Sequence, residues 1–260
     1  MMMNMITDMK ILKFFKITIC MVALGVATSA CAAGNSVLKI EEEKKVETIQ
    51  KIKKPRNVSV AILGDSLAVG LYSGLTHLAR KNKNMRVQKY SRVNTGLVRY
   101  DRYDWSSAAK EISQKDDSNI YILMFGANDL QSIRMNSKAY HFQSDGWVEK
   151  YNGRIDEITN AVKRPGRDVY WVGLPIVGKS SFADGYKYLN AMFKQRAKLN
   201  GITYIDSWDW FANTDGQFQM SGETADGRKQ LLRAKDKVHF TPAGYADLGI
   251  RVAREMNIEE

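Results

Sequence analysis

Cysteine is almost absent from this chain: 260 residues hold two, Cys20 and Cys31, both ahead of the part that reads as folded. That part has no thiol to spend on a disulfide or a thiolate metal site. Histidine is nearly as scarce, and its three positions, His77, His141 and His239, narrow the search for an imidazole base. No internal repeat or low-complexity tract is present. Acidic residues are in deficit, 28 Asp and Glu against 39 Lys and Arg, which sets the formal charge at +11. Removing residues 1–33 takes away three lysines and one aspartate and leaves +9. Such a balance draws a protein toward an anionic envelope surface, whether glycan, peptidoglycan or membrane. It does not point to nucleic acid, because the basic residues form no platform interleaved with aromatics.

The N-terminus carries a targeting pattern. Lys10, Lys13 and Lys16 lead into the apolar stretch Ile17 to Val26, and small residues follow through Ala33. Charged, apolar and cleavage regions in that order are the layout of a secretory signal, and the apolar stretch is too short to span a membrane as a helix. Met1 and Met9 are both usable starts. Two processing routes fit. Cleavage after Ala32 satisfies the small-x-small rule with Ala30, whereas Ser29-Ala30-Cys31 resembles a lipoprotein signal in which Cys31 becomes the lipidated first residue. Thr28, where that signal usually has leucine, tips the reading toward simple export into the periplasm or cell envelope. Residues 34–57 are charged and poor in large apolar side chains, which suits a solvated linker.

From residue 58 to 260 the chain is long enough for one well-buried core, and 44% apolar content is ordinary for a globular domain. Short apolar or β-branched runs at Val58–Leu63, Met85–Tyr90, Ile120–Phe125, Asp168–Gly173 and Thr203–Asp206 read as strands. Helical patterns near Val69–Lys81, Ser106–Lys115, Val148–Val162, Tyr186–Leu199 and Pro242–Met256 alternate with them. Alternation of this kind predicts an α/β fold, a flavodoxin-like three-layer α/β/α sandwich around a mainly five-stranded parallel sheet.

Four short segments carry the chemistry: Gly64-Asp65-Ser66-Leu67 after an apolar run, Gly96, Gly126-Ala127-Asn128-Asp129 after another, and Asp236-Lys237-Val238-His239. A serine hydroxyl is a weak nucleophile until a base takes its proton, the base needs a carboxylate to hold its ring, and the attacked carbonyl needs donors for its developing charge. Ser66 falls where the first strand gives way to a helix, at the rim where open α/β sheets bind ligands. His239 lies just before a helix that Thr241 and Pro242 announce as cap and first residue. Asp236, three residues back, can accept the ring Nδ1–H and leave Nε2 to face Ser66. His77 falls among Leu75, Leu78 and Ala79, and His141 in a polar loop, so both read as structural or exposed. Singly, Ser66 could be a helix cap, Asn128 a turn residue and His239 a loop histidine. The catalytic reading predicts all of them at once.

In this order the segments resemble the SGNH hydrolase superfamily, the GDSL esterases and lipases. Asn94-Thr95-Gly96-Leu97-Val98-Arg99, Tyr103-Asp104-Trp105 and Val172-Gly173-Leu174-Pro175 are similar to a bacterial envelope branch of it, catalogued mainly as a domain of unknown function. The resemblance implies Ser66, Asp236 and His239 as catalytic residues and an oxyanion hole of the Ser66 and Gly96 N–H groups and the Asn128 amide. It implies neither metal nor cofactor. Asp65 and Asp129 read as residues that hold turns.

The expected activity is an exported serine esterase that removes acyl groups, O-acetyl above all, from envelope polysaccharide or peptidoglycan. A lipase, thioesterase or acyltransferase would use the same site. A non-catalytic glycan-binding protein on the same fold is the rival, and the substrate and oligomeric state stay open. Aromatics with arginines in Gln131–Trp147 (Arg134, Tyr140, Phe142, Trp147) and in Asp206–Arg233 (Trp208, Trp210, Phe211, Phe218) suit sugar recognition or packing, packing being the commoner role.

Overall fold

The computed structural model describes residues 57–258; the expected signal sequence, Cys20, Cys31 and the expected linker up to residue 56 lie outside the described residues. Chain order begins β1 (Val58–Gly64), α1 (Ser66–Ala79), β2 (Met85–Lys89), α2 (Trp105–Lys115) and β3 (Ile120–Met124). A hairpin of β4 (Ile133–Met135) and β5 (Lys138–Tyr140) precedes α3 (Asp145–Val162), β6 (Asp168–Val172), α4 (Ser180–Leu199) and β7 (Thr203–Ile205). A 3₁₀ turn (Asp209–Phe211), the hairpin β8 (Ser221–Glu223) and β9 (Lys229–Leu231), and α5 (Pro242–Glu255) complete the described order.

Five parallel strands form the central sheet in the order β2-β1-β3-β6-β7, the flavodoxin-like arrangement that the alternating pattern predicts. In β1 and β3 every residue from Val60 to Gly64 and from Ile120 to Met124 is buried, as expected of strands covered on both faces. Edge strand β2 buries Met85 and exposes Arg86 and Lys89. Aromatic rings fill one layer beneath the helices: Trp105 meets Phe125 edge-on at 4.9 Å, and Trp171 meets Phe193 at 4.8 Å. Strand order reverses between β1 and β3, so a crevice opens at their C-terminal ends.

Helices α1 and α5 approach at glycines. A Cβ on Gly74 would stand 2.0 Å from the Tyr245 carbonyl oxygen, and one on Gly249 2.6 Å from the Gly74 carbonyl carbon. With no side chain at either position the two backbones touch, and the last helix lies directly against the first.

Sequence and structure differ in a few places. α1 starts at Ser66 and not near Val69, because Asp65 is its cap and accepts the Leu67 N–H. α3 and α4 also start early, at Asp145 after the cap residue Ser144 and at Ser180 after Lys179, whose side chain makes no cap bond. Both small hairpins lie in segments whose pattern suggests only aromatic loops.

Candidate active site

Asp65 ties the ends of β1 and β3 together. Its buried carboxylate accepts the Leu67 N–H through Oδ1 at 3.0 Å and the Ala127 N–H through Oδ2 at 2.9 Å. Ser66 thereby becomes the first residue of α1, half-buried, with its N–H unpaired among the described residues.

Asp129 does the same for the loop that carries Gly96. Its buried carboxylate accepts the Leu97 N–H at 3.0 Å, the Val98 N–H at 3.2 Å and the Tyr151 hydroxyl at 2.8 Å. Gly96 must be glycine here, since a Cβ would stand 2.1 Å from Asp129 Oδ1. Asn128 Nδ2 donates to the Thr95 carbonyl at 2.8 Å, and Arg154, stacked on the Tyr100 ring, donates to Leu97 O. The Gly96 and Asn128 loops are therefore fastened to each other at several points, the Gly96 N–H being unpaired among the described residues.

The candidate base arrives from the far end of the chain. Thr241 Oγ1 accepts the Gly244 N–H and caps α5, with Pro242 in its first turn. In the preceding turn Asp236 Oδ1 accepts the Val238 and His239 N–H groups at 3.0 and 2.9 Å, while Oδ2 lies 2.6 Å from His239 Nδ1. Lys237 takes a positive φ of 61° to close that turn. His239 Nε2 then lies 2.8 Å from Ser66 Oγ. The other two histidines are exposed, His77 on α1 and His141 beside Ser132 Oγ at 3.3 Å.

Arg233 is a supporting residue that the motif does not reveal. Fully buried, it donates to the Val238 carbonyl at 2.7 Å and stacks on Phe240 at 4.0 Å, so it braces the turn between Asp236 and His239. Burial pulls its guanidinium down to about 10. Desolvation raises the Asp236 carboxyl, but the His239 ring and the Val238 and His239 N–H groups outweigh it and hold the group at about 2. Asp236 stays ionised through the neutral range and keeps the ring in one orientation.

Asp65 behaves oppositely. Burial, resisted by the Leu67 N–H and reinforced by nearby Asp129, pushes its carboxyl up to about 7 from 3.8. A carboxyl raised by folding contributes most below its unfolded value and loses that contribution as pH rises through the folded one. The thermal midpoint should accordingly climb as pH falls from 7 to 5, and Asp65→Asn should flatten that part of the curve. An unchanged slope in the variant would assign the pH dependence elsewhere.

Most aromatics of the two long segments pack. Trp147 stacks on Tyr151 at 4.4 Å, Phe142 meets Trp147 edge-on at 4.9 Å, and Phe211 lies 4.5 Å from Phe240. Among the described residues no group of three or more His, Cys, Asp or Glu side chains is placed to hold a metal, and no helix is long and apolar enough to cross a membrane.

A model built for proteins of unknown function, DUF459, matches residues 59–255, the span that carries every element of this site. The chain belongs to the DUF459 family. No curated protein matches this DUF459 chain. Among solved structures it is similar to a catalytic mutant of an acetylxylan esterase from Geobacillus stearothermophilus, with 16% identity and a TM-score of 0.53 over 80% of this chain and 98% of that one. It is also similar to a GDSL-like lipase from Bacteroides thetaiotaomicron, with 12% identity and a TM-score of 0.52 over 83% and 96%. A carbohydrate acetylesterase family member from Sinorhizobium meliloti gives 14% identity and a TM-score of 0.50 over 77% and 99%. At such identities the likeness concerns the fold, and the DUF459 chain has the fold of SGNH hydrolases.

Proposed function

We propose that the protein is an exported serine esterase that removes O-acetyl groups from an envelope polysaccharide or peptidoglycan. The observation that carries this reading is the line Ser66 Oγ, His239 Nε2, His239 Nδ1, Asp236 Oδ2, with separations of 2.8 and 2.6 Å across its two hydrogen bonds. Ser66 Oγ forms a bond to the acetyl carbon as its proton passes to His239 Nε2, and Asp236 stabilises the imidazolium. The carbonyl oxygen takes the negative charge and accepts hydrogen bonds from the Ser66 and Gly96 N–H groups and the Asn128 amide. Collapse breaks the ester bond, and the departing sugar oxygen takes the proton from His239. Water then repeats the cycle on the acyl-enzyme and releases acetate. A sugar hydroxyl in place of water would make the same site a transferase. The N-terminal pattern supports export, with Cys31 as the residue that lipidation would use.

An acetyl ester on a glycan is favoured because two of the similar structures are an acetylxylan esterase and a carbohydrate acetylesterase family member. Acetate release from p-nitrophenyl acetate and from O-acetylated polysaccharide and peptidoglycan, with Ser66→Ala alongside, tests the reading. Serine-dependent release from a native glycan is the expected result. A folded protein that binds glycan and turns over no acyl donor would move it to the binding-protein class. Asn128→Ala should lower kcat by roughly 10²–10³ if its amide serves the developing oxyanion. A loss expressed in KM alone, with kcat retained, would remove Asn128 from that role.

A further inference from the structure

The loops that carry Gly96 and Asn128 run on into a second concavity beside the candidate active site. Val98, Arg99 and Asp101 line one side and Gln131, Ser132 and Arg134 the other, around a cavity of about 360 Å³. That volume is within the usual range for small-ligand pockets. Both sides are anchored to the proposed oxyanion hole: Asp129 accepts the Val98 N–H at 3.2 Å, and Gln131 Nε2 donates to the Asn128 carbonyl at 2.5 Å. A ligand seated there therefore abuts the loops that would hold the reacting carbonyl.

The lining is charged in an uneven way, with two guanidinium groups against one carboxylate. Arg99 is already committed, since its Nε and Nη2 lie 2.8 and 2.7 Å from the two Asp101 oxygens. Arg134 is held out on β4 by the backbone pairing of the hairpin, is exposed, and has no ion-pair or side-chain hydrogen-bond partner among the described residues. A free guanidinium presents a planar fork that matches a carboxylate. The lining sums to one positive charge, which one carboxylate balances; a phosphomonoester at about −1.5 to −2 would overshoot it. Gln131 and Ser132 add the polar groups that sugar hydroxyls need.

We propose that this cavity is a subsite for the carboxylate of an acidic sugar, Arg134 being its principal anchor. The proposal rests on the esterase reading and narrows its substrate to acylated glycans that contain uronic-acid units. It also gives the β4–β5 hairpin a purpose, which is to set a cation beside the loops that would hold the ester carbonyl.

The test is calorimetric titration of the full-length Ser66→Ala protein, which keeps its ligand intact, with a galacturonate trimer and with the neutral galactose trimer at one fixed salt concentration. The uronate should bind at least tenfold more tightly, and Arg134→Gln on the same background should abolish the difference. Arg134 is exposed, so its replacement leaves the core untouched. Lys198→Gln, the same change of charge on exposed α4 surface, should preserve the difference. Equal affinity for the two trimers, or equal losses in the Arg134 and Lys198 variants, overturns the subsite. Hydrolysis of p-nitrophenyl acetate by the wild type is read separately. Its absence alongside an intact uronate preference would overturn the esterase and leave a uronate-binding protein.

Discussion

Ester turnover should fall by about 10⁴–10⁶-fold in Ser66→Ala, while the thermal midpoint stays nearly where it is. The two halves of that expectation come from different atoms. Ser66 Oγ has a hydrogen bond to His239 Nε2 and no other partner among the described residues, so its removal deletes the proposed nucleophile and costs the fold one partly exposed contact, about 1 kcal/mol or less. The cap of α1 is untouched, because Asp65 and not Ser66 accepts the first-turn N–H. Initial rates on p-nitrophenyl acetate and a melting curve on the same preparation check both halves together. Retained turnover would end the nucleophile assignment, and a collapse of the midpoint would make the activity loss uninformative about chemistry.

The second large effect concerns Asp129, the residue next to Asn128, whose carboxylate is buried and faces no substrate. Asp129→Ala strands the Leu97 and Val98 N–H groups and the Tyr151 hydroxyl, all buried donors. Each unsatisfied buried donor costs about 1–3 kcal/mol, so three give roughly 3–9 kcal/mol, and release of the carboxyl's own burial penalty keeps the destabilisation toward the lower end, roughly 3–5 kcal/mol. In a domain of this size that is a drop of roughly 10 °C in the midpoint. Activity should fall further than stability alone accounts for, since the Gly96 loop loses its clamp while the Ser66, His239 and Asp236 side chains remain. Differential scanning calorimetry and kcat measured well below the new midpoint separate the two losses. A variant that melts normally would contradict the hydrogen-bond network described for Asp129.

Much of this arrangement is legible in the chain itself, for identifiable reasons. The central strands are continuous apolar runs because both faces of a parallel sheet are covered, and α5 announces its start with Thr241 and Pro242. The Gly-Asp-Ser segment, the Gly-x-Asn-Asp turn and the Asp-x-x-His turn are each local, so their spacing survives in sequence. Asp65 and Asp129 read correctly as residues that hold turns, yet which turns they hold is a matter of long-range packing. From α3, Tyr151 reaches Asp129 and Arg154 reaches the Gly96 loop, and Arg233 braces the His239 turn from a segment with no motif. Three-residue strands such as β4 and β8 are too short for an alternating pattern to register, and Lys179, which makes no side-chain cap bond, leaves the start of α4 unmarked.

The glycine contact between α1 and α5 has an effect on when the candidate site is complete. Residue 66 emerges from the ribosome long before residue 239, and in the folded domain neither His77 nor His141 makes a hydrogen bond to its hydroxyl. Only when α5 settles onto Gly74 does the imidazole reach the hydroxyl. Under the proposed export, a chain still threading through a channel would carry a serine without its base, and the closure that finishes the domain would complete the site.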